Sequence, residues 1–238
     1  MKNTLTTTLY CLCLAALSLS WKPAANADKS TEKPTVVLNA GSSAASAKIH
    51  SLYVSMDLRA MGLSEEAFTY ACKGYENMLE KRLIRKEGYL MICDFSQSSA
   101  RKRMYIIDME NQELVKNTYV AHGKNSGGEY ARAFSNRNGS LQSSLGFYVT
   151  RQTYYGEHGL SLRVNGVERG VNDKAYARAI VVHGANYIGS QKKGRSFGCP
   201  AVPQQESAEI INTMKDGHCI FIYHPSKKYL STSKILND

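Results

Sequence analysis

Cys199 is the residue of this chain whose surroundings best suit covalent chemistry. It stands in the run Gly194-Arg195-Ser196-Phe197-Gly198-Cys199-Pro200. A thiolate is a strong nucleophile wherever its surroundings favour the charged sulfur. Gly198 frees the backbone just before the cysteine for unusual dihedrals, so that two or three amide N–H groups can approach whatever the sulfur attacks and form an oxyanion hole. Arg195 adds positive potential, and a helix expected from Pro203 would turn its positive end toward the loop. A thiol also needs a base. His183 closes the apolar run Ile180-Val181-Val182 and is followed by Gly184, which sets an imidazole at the rim of a buried strand. Sixteen positions separate it from Cys199, enough for the loop from Asn186 to Arg195 to fold back and bring the two together. Cys199, His183, Ser196 and Gly198 are therefore the catalytic candidates.

The elements that must position this pair are mostly strands. Runs at Tyr89–Phe95, Met104–Met109, Leu114–Ala121, Phe147–Thr150, Leu160–Val164, Ala179–His183 and Cys219–Tyr223 are separated by Gly, Asn and Ser. Before them, Ser64 can cap a helix whose apolar residues Phe68, Cys72, Tyr75, Leu79 and Leu83 recur at helical spacing. A second helix is expected over Pro203–Lys215, with proline at its start and Gly217 beyond its end. The fold class is mainly β, a curved sheet or sandwich, with one helix ahead of it and one after the nucleophile loop.

The first 27 residues read as a signal peptide: Lys2, an apolar run from Leu9 to Leu19, then Ala25-Asn26-Ala27 as a small-x-small cleavage pattern. That run is too short to cross about 30 Å of hydrocarbon, which takes about 20 residues, so no transmembrane segment is expected. Residues 28–48, rich in Ala, Ser, Thr and Lys, read as a flexible linker. A helical extension over 49–88 and a catalytic domain over 89–238 complete the expected organisation.

The formal charge of +10 suits an anionic partner, yet no zinc-finger, RNA-binding or basic-heptad pattern accompanies it, so nucleic acid is not expected. Gly123-Lys124-Asn125-Ser126-Gly127-Gly128 lacks the spacing of a nucleotide loop. Past residue 27 the cysteines are Cys72, Cys93, Cys199 and Cys219, and export makes pairing possible without deciding it. A metal site from His183, Cys199, Cys219 and His218 or His224 has no supporting spacing, so no metal is expected. A cysteine hydrolase using His218 or His224 as base, and a non-catalytic binding domain, are the competing readings.

Val182-His183-Gly184 followed by Ser196-Phe197-Gly198-Cys199 resembles the H-G…S-x-G-C signature of YkuD-like murein L,D-transpeptidase catalytic domains. Ser143-Ser144-Leu145-Gly146-Phe147-Tyr148 stands where that family has its T-P-x-G-x-F strand start, and the likeness covers about residues 89–224. The resemblance implies a periplasmic enzyme without cofactor that acts on peptidoglycan stem peptides through a Cys199 thioester, resolved by an acceptor amine or, in an L,D-carboxypeptidase, by water. The commoner pattern of the family, S-H-G-C-x-R, has a second histidine where Phe197 stands and an arginine where Ala201 stands. Arg195 is the expected substitute for binding a substrate carboxylate. His122, ahead of Gly123, either lines the cleft or is a strand-end histidine bonded to a backbone carbonyl. Tyr187 either stacks on substrate or packs, and Ser135 and Asn136 are further substrate-binding candidates.

Overall fold

The computed structural model describes residues 40–84, 87–189, 192–193 and 195–238. The signal peptide expected over 1–27 and the linker as far as residue 39 lie outside the described residues. Helix α1 (Ala40–Ser55) begins within the segment expected as linker. Its Ile49 and Tyr53, four apart and therefore on one face, are buried. Helix α2 (Glu65–Glu80) starts where the capping signal put it: the Ser64 hydroxyl accepts from the Ala67 amide at 3.2 Å, with Glu65 and Glu66 in the first turn. Its buried face is Phe68, Ala71, Cys72, Tyr75 and Met78. Leu83, expected on that face, lies past the helix and is 38% exposed. Gly74 is where α2 touches the sheet, because a Cβ there would collide with the Phe147 ring. The helices and the strands thus share one hydrophobic core.

The strands are β1 (Tyr89–Asp94), β2 (Met104–Asp108), β3 (Glu113–Thr118), β4 (Gly146–Gly156), β5 (Gly159–Gly166), β6 (Val181–Ala185), β7 (Ile188–Gly189), β8 (Lys192–Lys193) and β9 (Ala201–Pro203). Helix α3 (Ser207–Met214), strand β10 (Cys219–Tyr223) and the short helices α4 (Lys227–Thr232) and α5 (Lys234–Asn237) follow. Eight strands form one curved sheet in the order β3-β2-β1-β10-β4-β5-β6-β9, and β7 and β8 form a separate two-stranded ribbon. β1 and β10 lie parallel at the centre, Leu90 beside Cys219. Both are apolar and buried along almost their whole length, as strands covered on two faces must be.

The two ends of the sheet meet. Beyond β3 the chain forms a bridge from Ala121 to Ala201 of β9, the Ala121 amide donating to the Ala201 carbonyl at 2.8 Å, so the sheet is nearly closed like a barrel. A small apolar cluster of Ala121, Ala185, Ile188 and Ala201 fills that seam. Closure also changes the expected second helix. Residues 201–203 pair in parallel with β6, His183 beside Ala201 and Ala185 beside Pro203, so the helix begins at Ser207 instead of Pro203. The long-range ladder outweighs the local preference of a proline for a helix start.

Candidate active site

Cys199 sits in a loop whose shape is held from within. The Ser196 hydroxyl donates to the Cys199 carbonyl at 2.6 Å and accepts from the Gly198 amide at 3.1 Å. The Ser196 backbone is tied to the strand-end segment beside it: its amide donates to the His122 carbonyl and its carbonyl accepts from the Lys124 amide. Gly198 has φ +129°, where side chains are strained, and a Cβ there would meet the Gln142 carbonyl at 2.9 Å. The Gly198 carbonyl accepts from the buried Ser143 hydroxyl at 3.0 Å. The Gly198 amide is thus taken by Ser196 and is not itself free to serve an oxyanion hole. The backbone groups that favour a charged sulfur are the amides of Val181 and of Cys199 itself.

The sulfur faces a cavity of about 430 Å³ that His183 also lines. β6 and β9 bring the two residues to one place, since His183 stands opposite Ala201, two residues beyond Cys199. His183 is 2% exposed, and its Nδ1 lies 3.0 Å from the Gly184 carbonyl. A carbonyl only accepts, so Nδ1 carries the proton and Nε2 is left as the basic nitrogen. Burial, reinforced by the nearby His158, holds the His183 pKa below its ordinary value, the Gly184 carbonyl opposing. Burial likewise pushes the Cys199 thiol up, against the pull of the Val181 amide and the Arg178 guanidinium. Both shifts favour a neutral thiol beside a neutral imidazole.

The sequence profile described as the L,D-transpeptidase catalytic domain matches residues 59–223. The chain belongs to that family. No curated protein matches it in sequence. Among solved structures it is similar to an L,D-transpeptidase from Mycobacterium smegmatis at 12% identity and TM-score 0.37, covering 58% of this chain and 59% of that one. L,D-transpeptidase 3 from Mycobacterium tuberculosis matches at 9% identity and TM-score 0.39, covering 58% of this chain and 61% of that one. The L,D-transpeptidase of Xylanimonas cellulosilytica matches at 15% identity and TM-score 0.35, covering 68% and 81%. This L,D-transpeptidase domain thus spans less than two thirds of the length of the first structures it matches.

Around the cysteine of this L,D-transpeptidase domain, Tyr187, Arg195 and Phe197 line the same cavity. The Arg195 guanidinium is already engaged with the Gly128 carbonyl. Phe197, 68% exposed, carries the Lys124 ammonium 4.6 Å from its ring centroid. His122 does not line the cavity: it is fully buried, its Nδ1 accepts from Arg103 at 2.8 Å and its Nε2 faces the Gly127 carbonyl at 3.3 Å. Ser135 and Asn136 lie outside it too. The Ser135 carbonyl accepts from Arg178, and the Asn136 amide donates to Asp173 at 2.7 Å. His218 packs edge-on against Tyr89 and His224 against Phe134, so neither competing base shares the cavity of Cys199. The α3 start lies against Gly184, whose added Cβ would meet Ser207, and not against the sulfur. All four cysteines of the described residues are free thiols, and Cys72, Cys93 and Cys219 are buried.

Sequence reasoning missed Arg178 and His158. Arg178 lines the cavity and donates to the Ser135 carbonyl at 2.7 Å, the Ser144 hydroxyl at 2.5 Å and the Gln142 carbonyl at 2.5 Å. These hydrogen-bond partners are all neutral, so its positive charge is left to act on the sulfur. Nothing local distinguishes it from Arg163 or Arg169, because its role depends on a loop more than thirty residues upstream. His158 occupies the β4–β5 turn, which no apolar period marks.

Proposed function

We propose that this protein is a peptidoglycan L,D-transpeptidase, exported by its leader to the periplasm, with Cys199 as nucleophile and His183 as base. The substrate is a stem tetrapeptide. As the Cys199 Sγ attacks the carbonyl between the L-centre of meso-diaminopimelate and the terminal D-alanine, His183 Nε2 takes the thiol proton. The carbonyl π bond opens to an oxyanion, to which the Cys199 amide donates. When it re-forms, the C–N bond breaks, the imidazolium returns its proton to the leaving amine, and D-alanine departs from a thioester. The amine of a second stem attacks that thioester, gives a proton to His183, and releases the sulfur, which takes the proton back. Arg178 favours the developing thiolate. Ser196 and Gly198 hold the loop, Tyr187 and Arg195 meet the substrate, and no cofactor takes part.

The observation that carries this reading is one cavity containing both Cys199 and His183, with the proton of His183 held on Nδ1. The test incubates the purified protein with disaccharide-tetrapeptide and weighs the products. Cross-linked dimers are expected from the wild type and are absent from Cys199→Ala. Tripeptide alone would replace the amine acceptor with water. No turnover, or equal turnover by Cys199→Ala, would overturn the proposal.

A further inference from the structure

His158 lies in the turn between β4 and β5, at the tip of a hairpin that reaches over the cavity. Its ring rests on that of His183, with centroids 4.1 Å apart and planes 19° apart. His158 is exposed and His183 is almost fully buried, so the hairpin tip is a cover on one face of the His183 imidazole. Near-parallel stacking sets the ring faces together and the N–H bonds in separate planes. No hydrogen bond, and so no proton, passes directly from ring to ring. His158 acts on its neighbour through position and charge alone.

Those two influences have opposite signs. A neutral aromatic ring over His183 stabilises the imidazolium that forms when the thiol gives up its proton. A charged ring in the same place repels it. The other charged or titratable groups around the cavity are Glu157 in the same turn, Tyr154 on β4, Arg178 ahead of β6, Tyr187 after β6, and Arg195 and Cys199 on the nucleophile loop. The hairpin thus brings to His183 a second imidazole, a group that can be neutral or carry charge.

We propose that His158 is a positioning residue for the reaction given above: uncharged, it holds His183 ready to accept the Cys199 proton, and charged, it opposes that transfer. The inference rests on the assignment of His183 as base. It adds to the acid limit set by protonation of His183 itself a second control, written in the β4–β5 hairpin.

The test fixes the charge at position 158. His158→Phe keeps a ring that is never charged, and His158→Arg keeps a planar group that always is. For tetrapeptide turnover, the kcat of His158→Arg is expected to fall about tenfold at pH 8. Its deficit relative to wild type narrows as pH drops toward 5, while the ratio of His158→Phe to wild type rises. The effect falls on kcat and not on KM. Independently of turnover, the His183 ring followed by NMR should titrate about one pH unit higher in His158→Phe than in His158→Arg. Equal His183 midpoints, or kcat ratios constant across the pH range, would overturn the proposal. Absence of turnover in the wild type would instead refute the functional reading, and the NMR titration would still decide the stack.

Discussion

His122-Gly123 and His183-Gly184 are the same dipeptide, each closing an apolar β-run, and the protein uses them oppositely. Both imidazoles are buried, at 0% and 2% exposure, and burial holds both below their ordinary pKa. Their partners differ. His122 meets Arg103, which only donates, on Nδ1, and a carbonyl on Nε2, so both nitrogens are committed and the ring is locked neutral. His183 has its Nδ1 on the Gly184 carbonyl and lines the cavity that Cys199 also lines. In the function proposed above His183 is the base, because its Nε2 has no hydrogen-bond partner among the described residues. His122 instead serves through its backbone, whose carbonyl receives the Ser196 amide and so anchors the nucleophile loop.

The sharpest way to break this comparison is substitution at both positions. His183→Ala is expected to lower kcat about 10³-fold with the fold intact, the usual scale for losing a general base. Turnover retained by His183→Ala, or lost equally in a folded His122→Ala, would erase the distinction.

The next effect is on stability against pH. The His122 pKa is pushed from 6.5 to about 4, first by burial and then by Arg103 and Arg195. Above about pH 6.5 the imidazole is neutral in both folded and unfolded chains, and its contribution to stability is fully present. As pH falls toward 4 the unfolded chain takes up the proton and the folded one does not, so that contribution is lost. The expected loss from His122 is roughly 3 kcal/mol between pH 7 and pH 4, read from urea unfolding, and His183 adds to it in the same direction. His122→Ala, less stable at pH 7, should show a flatter profile; a profile as steep as wild type would remove His122 as the source.

The smallest effect comes from Arg178. Arg178→Met leaves the sulfur without its nearby positive charge and frees the Ser135 and Gln142 carbonyls. The reaction of Cys199 with iodoacetamide at pH 7 should slow about tenfold, one pKa unit of lost thiolate. The three other cysteines of the described residues are buried, so the labelled site is readable by mass. An unchanged rate would show that the backbone amides alone tune the sulfur.

Much of the site is legible in the chain because its signals are local. A glycine before a cysteine needs only adjacent residues to be recognised, and Gly198 does adopt φ +129°. The apolar run ending at His183 marks a buried strand for the same reason, although β6 continues through His183 to Ala185. Arg178 and His158 left no such trace: one is defined by carbonyls at Ser135 and Gln142, the other by a ring on a strand two positions away in the sheet. The expected helix at Pro203 went astray because residues 201–203 find strand partners at Ala121 and β6.

The sequence by itself determined the strand-rich domain and the capped α2 helix, and it marked a candidate nucleophile loop with a histidine upstream. These follow from periodicity, capping and backbone freedom, which act over a few residues. Only the tertiary structure decided which His-Gly faces the cavity, which arginine stands by the sulfur, and what lies on the His183 ring. Those are matters of desolvation and hydrogen-bond partners, set where the nearly closed sheet brings distant segments to within a few ångströms.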